Sequence, residues 1–191
     1  MNPQTTVTAK SSDLPVTLEE AKAHLRVLNS DLDEEIAALL EAATEYCETV
    51  VGRSLRVSHT LTQSYDGWPC GLVRFDRHPV TAVSHVKYYD ADDVLTTVDS
   101  SNYRLHLSSE AAAVLEFDLD FTRPTLSVRE DAVIVTYTAG YASLDDVPAR
   151  AKAAVKLKLA ELFGNLEERQ VSANEKSIAA LLGTLDWGCY R

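Results

Sequence analysis

The side chains most able to bind metal ions or transfer protons are scattered along this sequence. The five histidines, at positions 24, 59, 78, 85 and 106, never fall into HxH or HExxH spacing, so they predict no metal site. Asp90, Asp92 and Asp93 lie close together, but a calcium loop needs Gly and Glu where this chain has Leu95 and Ser101. We therefore interpret this stretch as a solvated turn.

Patterns typical of nucleotide binding or nucleophilic catalysis are also missing. The sequence contains no GxGxxG, Walker or GxSxG pattern. Its cysteines, Cys47, Cys70 and Cys189, are odd in number and lack CxxC spacing, so they indicate neither a zinc site nor a disulfide framework. The sequence predicts a protein that needs no cofactor and is not an enzyme.

The charge balance favours a protein partner. Among 191 residues, 29 acids face 18 bases, giving a formal net charge of -11. Such a charge repels nucleic acid phosphates and anionic lipids. The polar N-terminus lacks the apolar core of a signal peptide, and no window resembles a membrane span. We expect a protein of the cytoplasm that is neither exported nor bound to a membrane.

Helical periodicity predicts three helices. A capping box, Thr17-Leu-Glu-Glu20, indicates a short helix over residues 18–27. Apolar residues at helical spacing predict a second helix over 31–51, which Gly52 ends, and a third over 148–169, which begins at Pro148. The stripes of the two long helices are expected to pack together through Ile36, Leu39, Leu40, Ala43, Cys47, Val155, Leu159 and Leu162.

The second helix has an acidic face opposite its apolar stripe. This face holds Glu34, Glu41, Glu45 and Glu48. It is either a solvated surface or a channel or subunit-contact surface. Lys152 and Lys156 border the apolar stripe of the third helix, and the glutamates or a neighbouring copy could neutralise them.

Between the long helices the periodicity changes to two. The β-rich runs at 55–65, 72–75, 80–89, 94–98, 103–107, 114–117 and 132–138 predict strands, with a hairpin turn at 90–93. Because strands and helices do not alternate, the fold class is α+β, with a β lobe over 55–138 inserted into a helical core. We expect a flexible arm at 1–13, one domain at 14–169 and a tail at 170–191.

The C-terminal tail combines a polar break with apolar and aromatic residues. Residues 177–191 could form a docking peptide, because aromatic side chains dominate interface hot spots. The alternative is a last helix that folds back on the core of its own chain. The candidate docking residues are Leu181, Leu182, Leu185, Trp187, Tyr190 and Arg191.

Several segments in succession resemble the head-tail connector (adaptor) family of tailed bacteriophages, prophages and gene transfer agents. The resemblance covers about residues 14–191. The segments that carry it are Leu14-Pro-Val-Thr-Leu-Glu-Glu-Ala-Lys-Ala-His-Leu-Arg-Val27, Ala42-Ala-Thr-Glu-Tyr46 with Gly52-Arg53, Pro79-Val-Thr-Ala-Val-Ser-His-Val-Lys-Tyr-Tyr-Asp90, and Val133-Ile-Val-Thr-Tyr-Thr-Ala-Gly-Tyr141 leading into Val147-Pro148.

The resemblance implies a structural protein of the particle neck that assembles in the host cytoplasm. It implies a dodecameric ring below the portal protein, which carries the next neck or tail component, such as a stopper or tail terminator. DNA would pass through the ring without specific binding. The alternatives are another neck, tail-completion or assembly protein, or an enzyme whose site lies in the β lobe.

Overall fold

A computed structural model describes residues 4–107, 113–167 and 174–183, without the side chains of 165–167 and 174–176. The chain forms two compact units. We call Ser12–Val57 with Tyr141–Arg191 the helical unit, and Met1–Ser11 with Ser58–Gly140 the β unit. The sequence predicts one domain over 14–169, whereas the contacts divide that range between two units. The predicted α+β class is confirmed.

Four helices are described in the helical unit. They are α1 (Leu18–Leu25), α2 (Asp33–Val51), α3 (Ala149–Glu167) and α4 (Asn174–Gly183). The hydroxyl of Thr17 accepts a hydrogen bond from the Glu20 amide at 3.2 Å, as the capping box predicts. Gly52 ends α2 with a φ of 66°, a left-handed conformation that glycine adopts without a steric penalty.

The predicted packing of the two long helices is confirmed. Ile36, Leu40, Ala43 and Cys47 of α2 share one buried core with Val155 and Leu159 of α3. Leu39 and Leu162 pack against that core but remain partly exposed. The fourth helix adds Ile178 and Leu182 to the same core. Burial of these apolar side chains is therefore the main force that holds the helical unit together.

The β unit contains eight strands among its described residues. They are β1 (Gln4–Ala9), β2 (His59–Tyr65), β3 (Val73–Arg74), β4 (Val80–Tyr89), β5 (Leu95–Thr97), β6 (Tyr103–His106), β7 (Val114–Phe117) and β8 (Val133–Ala139). One antiparallel sheet has the order β1-β2-β8-β4-β5, and a smaller one has the order β3-β7-β6. The two sheets contribute to one apolar core that includes Leu61, Val86, Leu115, Val135 and Tyr137.

The structure corrects the N-terminal arm and the start of one strand in the β unit. The arm expected at 1–13 contains β1, which pairs antiparallel with β2 through contacts such as Thr6 with Thr62. A run of threonine and valine favours an extended edge strand, and β2 supplies the partner that the sequence alone does not reveal. The strand expected from residue 55 begins at His59, because Leu55 and Arg56 are buried within the helical unit.

Candidate functional site

The acidic face of α2 is divided by a buried arginine. The guanidinium of Arg56 donates two hydrogen bonds to the carboxylate of Glu41, at 3.1 and 3.0 Å, and its Nε lies 3.3 Å from Glu48 Oε2. The side chain of Arg56 is 1% exposed, that of Glu48 12% and that of Glu41 37%. Because a buried charge needs hydrogen-bonded partners, these two glutamates hold Arg56 in the interior.

The segment after α2 places Arg56 against that helix. Beyond Gly52 the chain turns back, and the amide of Leu55 donates to Glu48 Oε1 at 2.8 Å. The carbonyl of Arg56 accepts a hydrogen bond from the Tyr141 amide at 3.0 Å, and the Val57 amide donates to the Asp13 carbonyl at 3.3 Å. The network therefore joins α2 to three separate stretches of the helical unit.

The four glutamates of this face differ in exposure. Glu41 and Glu48 bind Arg56, and the Glu48 side chain is largely buried by that contact. Glu34 and Glu45 are exposed on the surface of α2. Sequence reasoning missed Arg56. The seven-residue spacing of Glu41 and Glu48 gives them a common face, but it does not identify the arginine that reaches them.

Two lysines of α3, Lys156 and Lys158, have partners within the helical unit. Lys156 Nζ lies 2.9 Å from Glu20 Oε2 of α1, so its carboxylate comes from the first helix rather than from α2. Lys158 donates to Glu161 Oε1 at 3.1 Å and lies 4.1 Å from the centre of the Tyr46 ring. Lys152, which the sequence groups with Lys156, is half-buried on the same helix.

The described residues give little basis for reactive chemistry. Burial raises the pKa of the Cys47 thiol to about 12, although the nearby Lys158 opposes the shift, so this cysteine is protonated and unreactive. Across residues 4–107, 113–167 and 174–183, no three histidine, cysteine or acidic side chains form a group that could hold a metal ion. Among the described helices, none combines the length and apolar character needed to cross a bilayer.

The candidate docking residues divide at the end of α4. Leu182 is buried in the helical core and Leu181 is half-buried against it. For these two residues the structure has the folded-back arrangement that the sequence analysis gives as the alternative to docking. Leu185, Trp187, Tyr190 and Arg191 lie outside the described residues, so their role in docking stays a prediction.

A comparison with protein families gives a match over α1, α2 and the strands from β2 to β5. Residues 15–104 match the family described as phage gp6-like head-tail connector protein. These residues are similar to a gp6-like head-tail connector. The resemblance inferred from the sequence is therefore confirmed, and the family is structural rather than enzymatic. No match is found among curated proteins.

The fold of nearly the whole chain is similar to that of chains in gene transfer agent (GTA) particles. A chain from the virion of a native GTA particle is 24% identical, with a TM-score of 0.78, and the alignment covers 98% of this chain and 96% of that chain. A chain from the neck of an empty GTA particle, computed with C6 symmetry, has the same identity and TM-score, and the alignment covers 100% of this chain and 97% of that chain. A third chain, from the neck of a native GTA particle computed with C12 symmetry, is 23% identical with a TM-score of 0.68. That alignment also covers 100% of this chain and 97% of that chain.

Proposed function

We propose that this protein is a structural ring component of a particle neck, where it connects the DNA-filled head to the tail. The observation that carries the proposal is the connector match over 15–104, together with a fold shared with GTA neck chains along the whole chain.

The symmetry of the similar particle supports a closed ring. One chain with a similar fold comes from a neck computed with C12 symmetry, which supports a ring of twelve copies for this chain. Repeated head-to-tail contacts between identical subunits generate such rings when the rotation closes. The portal protein on one side, and a stopper or tail terminator on the other, are the partners that a position in the neck requires.

The net charge of -11 supports passage of DNA without binding. Within the proposed ring, the exposed Glu34 and Glu45 are the members of the acidic face that can line the channel. Replacing both by lysine should slow DNA delivery without preventing ring assembly. In a gel-shift assay, the isolated wild-type protein should not bind duplex DNA at physiological salt.

Residues 184–191 are the candidate for docking to the portal or to a neighbouring copy. The support is compositional: Leu185, Trp187, Tyr190 and Arg191 concentrate apolar, aromatic and charged groups after the glycine that ends α4. Arginine and large aromatics are the side chains that interface hot spots favour. This assignment leaves α4 as part of the helical core.

Particles assembled without the protein test the proposed function. We expect DNA-filled or leaking heads that lack tails, and recovery of complete particles when purified protein is added back. Images of recovered particles should show a ring of extra density at the neck. Normal tailed particles in the absence of the protein would contradict a connector role. Empty heads with unpackaged DNA would instead indicate an earlier assembly step.

A further inference from the structure

The hairpin between β4 and β5 exposes apolar side chains beside a second loop. Val94 and Leu95 follow the hairpin turn and are 57% and 44% exposed, while Val128 in the facing loop is 104% exposed. We call residues 89–95 with 126–131 the hairpin tip. Single exposed apolar residues are ordinary on protein surfaces, but several on adjoining segments are a candidate contact site.

Hydrogen bonds hold the two parts of the hairpin tip side by side. The Ser127 amide donates to the Tyr89 carbonyl at 3.1 Å, and the Tyr89 amide donates to the Ala132 carbonyl at 2.9 Å. Asp90 and Leu126 form a further antiparallel bridge. The loop that carries Val128 therefore runs along the base of the hairpin that carries Val94 and Leu95.

Arg129 links the two parts of the hairpin tip through its side chain. Its guanidinium binds both carboxylate oxygens of Asp131, at 2.5 and 3.0 Å, and donates to Asp93 Oδ1 at 2.9 Å. The same group lies 3.4 Å from the centre of the Tyr89 ring. Hydrogen bonds to Asp131 are the main reason that the pKa of Arg129 is raised, so its charge is permanent.

The turn itself is also fixed. Asp90 Oδ1 accepts hydrogen bonds from the amides of Asp92 and Val94, at 3.0 and 2.9 Å, which closes the turn as the aspartate cluster predicts. A surface that is rigid before binding loses less conformational entropy when a partner arrives. The exposed side chains of Val94, Leu95 and Val128 are therefore presented on a rigid support.

The charge around these side chains selects the partner. The hairpin tip contains one base, Arg129, and five acids: Asp90, Asp92, Asp93, Glu130 and Asp131. This excess of negative charge repels nucleic acid phosphates and anionic lipids. Two hairpin tips from neighbouring copies would repel each other for the same reason. A basic surface with apolar side chains complements both properties of the tip.

We propose that the hairpin tip is the docking surface for a different protein of the neck, one that presents lysine or arginine beside an apolar or aromatic side chain. The inference rests on the proposed function, because a neck ring must hold the component that follows it. The apolar side chains would provide the contact area, and the acidic residues would select and orient the partner.

Photo-crosslinking in assembled particles tests the identity of the partner. A benzophenone amino acid replaces Val128 in the full chain, and the almost wholly exposed Leu119 serves as the control position. We expect the Val128 probe, but not the Leu119 probe, to crosslink to another protein through a peptide that contains lysine or arginine beside an apolar residue. Crosslinks within this chain or to a second copy, to an acidic peptide, or to nothing would overturn the proposal.

Charge reversal tests the functional consequence. Asp92→Lys with Glu130→Lys changes two exposed acids of the tip that lie outside the Arg129 network. The matched control is Asp66→Lys with Asp120→Lys, two exposed acids elsewhere in the β unit. Each variant is added to particles that lack the protein, and both retention on heads and the yield of complete particles are measured.

We expect the tip variant to bind heads like the wild type but to reduce the yield of complete particles about ten-fold, because two attractive charge contacts with the partner become repulsive. The control should match the wild type. Normal yield from the tip variant would overturn the proposal, as would a loss of head binding, which would indicate a contact between copies or with the portal. If the wild-type protein itself fails to bind heads, the proposed function fails instead.

Discussion

Replacing Arg56 by methionine is expected to destabilise the helical unit more than any surface change of the same kind. Methionine keeps much of the apolar stem but removes the charge from the Glu41 and Glu48 network. Glu48, whose side chain is 12% exposed, then keeps a carboxylate in the interior without its cation, whereas the more exposed Glu41 regains water. Removing one partner of a buried ion pair costs about 3–5 kcal/mol.

Urea denaturation, followed by the helical signal in circular dichroism, measures this cost. With an m value of about 2 kcal/mol per molar urea, a loss of about 4 kcal/mol lowers the midpoint of the helical transition by about 2 M. The matched control is Arg150→Met, because Arg150 is an exposed arginine of the same unit. We expect that variant to change the free energy of unfolding by no more than about 0.5 kcal/mol.

A further variant separates the buried charge from the lost contacts. Combining Arg56→Met with Glu41→Gln and Glu48→Gln removes all three charges, so no carboxylate is left in the interior without a cation. This variant should regain part of the stability that Arg56→Met loses, because replacing a whole buried ion network costs less than breaking it. If Arg56→Met unfolds at the same urea concentration as Arg150→Met, the network does not stabilise the fold and the reasoning is wrong.

Four other outcomes are expected. Leu40→Ala should cost about 2–5 kcal/mol, whereas Leu39→Ala, at the edge of the core, should cost less in the same urea titration. Iodoacetamide at mildly alkaline pH should modify the exposed Cys70 and spare the buried Cys47, as peptide mass spectrometry would show. Burial raises the pKa of Cys47 from 9.0 to about 12. The contribution of Cys47 to the free energy of unfolding should therefore be complete below pH 9.0 and decline between pH 9.0 and about 12. Removing 184–191 should leave stability intact and abolish binding to portal-bearing heads. Removing 177–191 should also lower the unfolding midpoint, since Ile178 and Leu182 are buried. Normal head binding by the variant that lacks only 184–191 would contradict a docking role for the tail.

The regular elements were predictable because each follows a local pattern. The apolar spacing of α2 and α3 predicts both helices and their contact, which depends only on which face of each helix avoids water. The strands from β2 to β8 follow alternation and turn residues in the same way. The hairpin turn at Asp90 is also a local feature, since one side chain closes it through amides two and four residues away.

The sequence did not reveal features that depend on distant partners. The strand β1 is stable because β2 pairs with it, and the two are separated by both of the first helices. Glu41 and Glu48 resemble solvated residues until Arg56 folds back on them. The sequence indicates that Lys156 needs an acidic partner, but the spacing of charged residues does not distinguish Glu20 from the glutamates of α2. Such pairings are determined by tertiary contacts rather than by periodicity.

The division of the chain into units has a consequence for synthesis on the ribosome. The first two helices emerge early, but α3 and α4, which complete their core, are translated only after the whole of the β unit. Until then, Ile36 and Leu40 have no native cover from α3, and β1 waits for β2. The β unit can therefore fold first during translation, whereas the helical unit must close last, through contacts that are distant in sequence and slow to form.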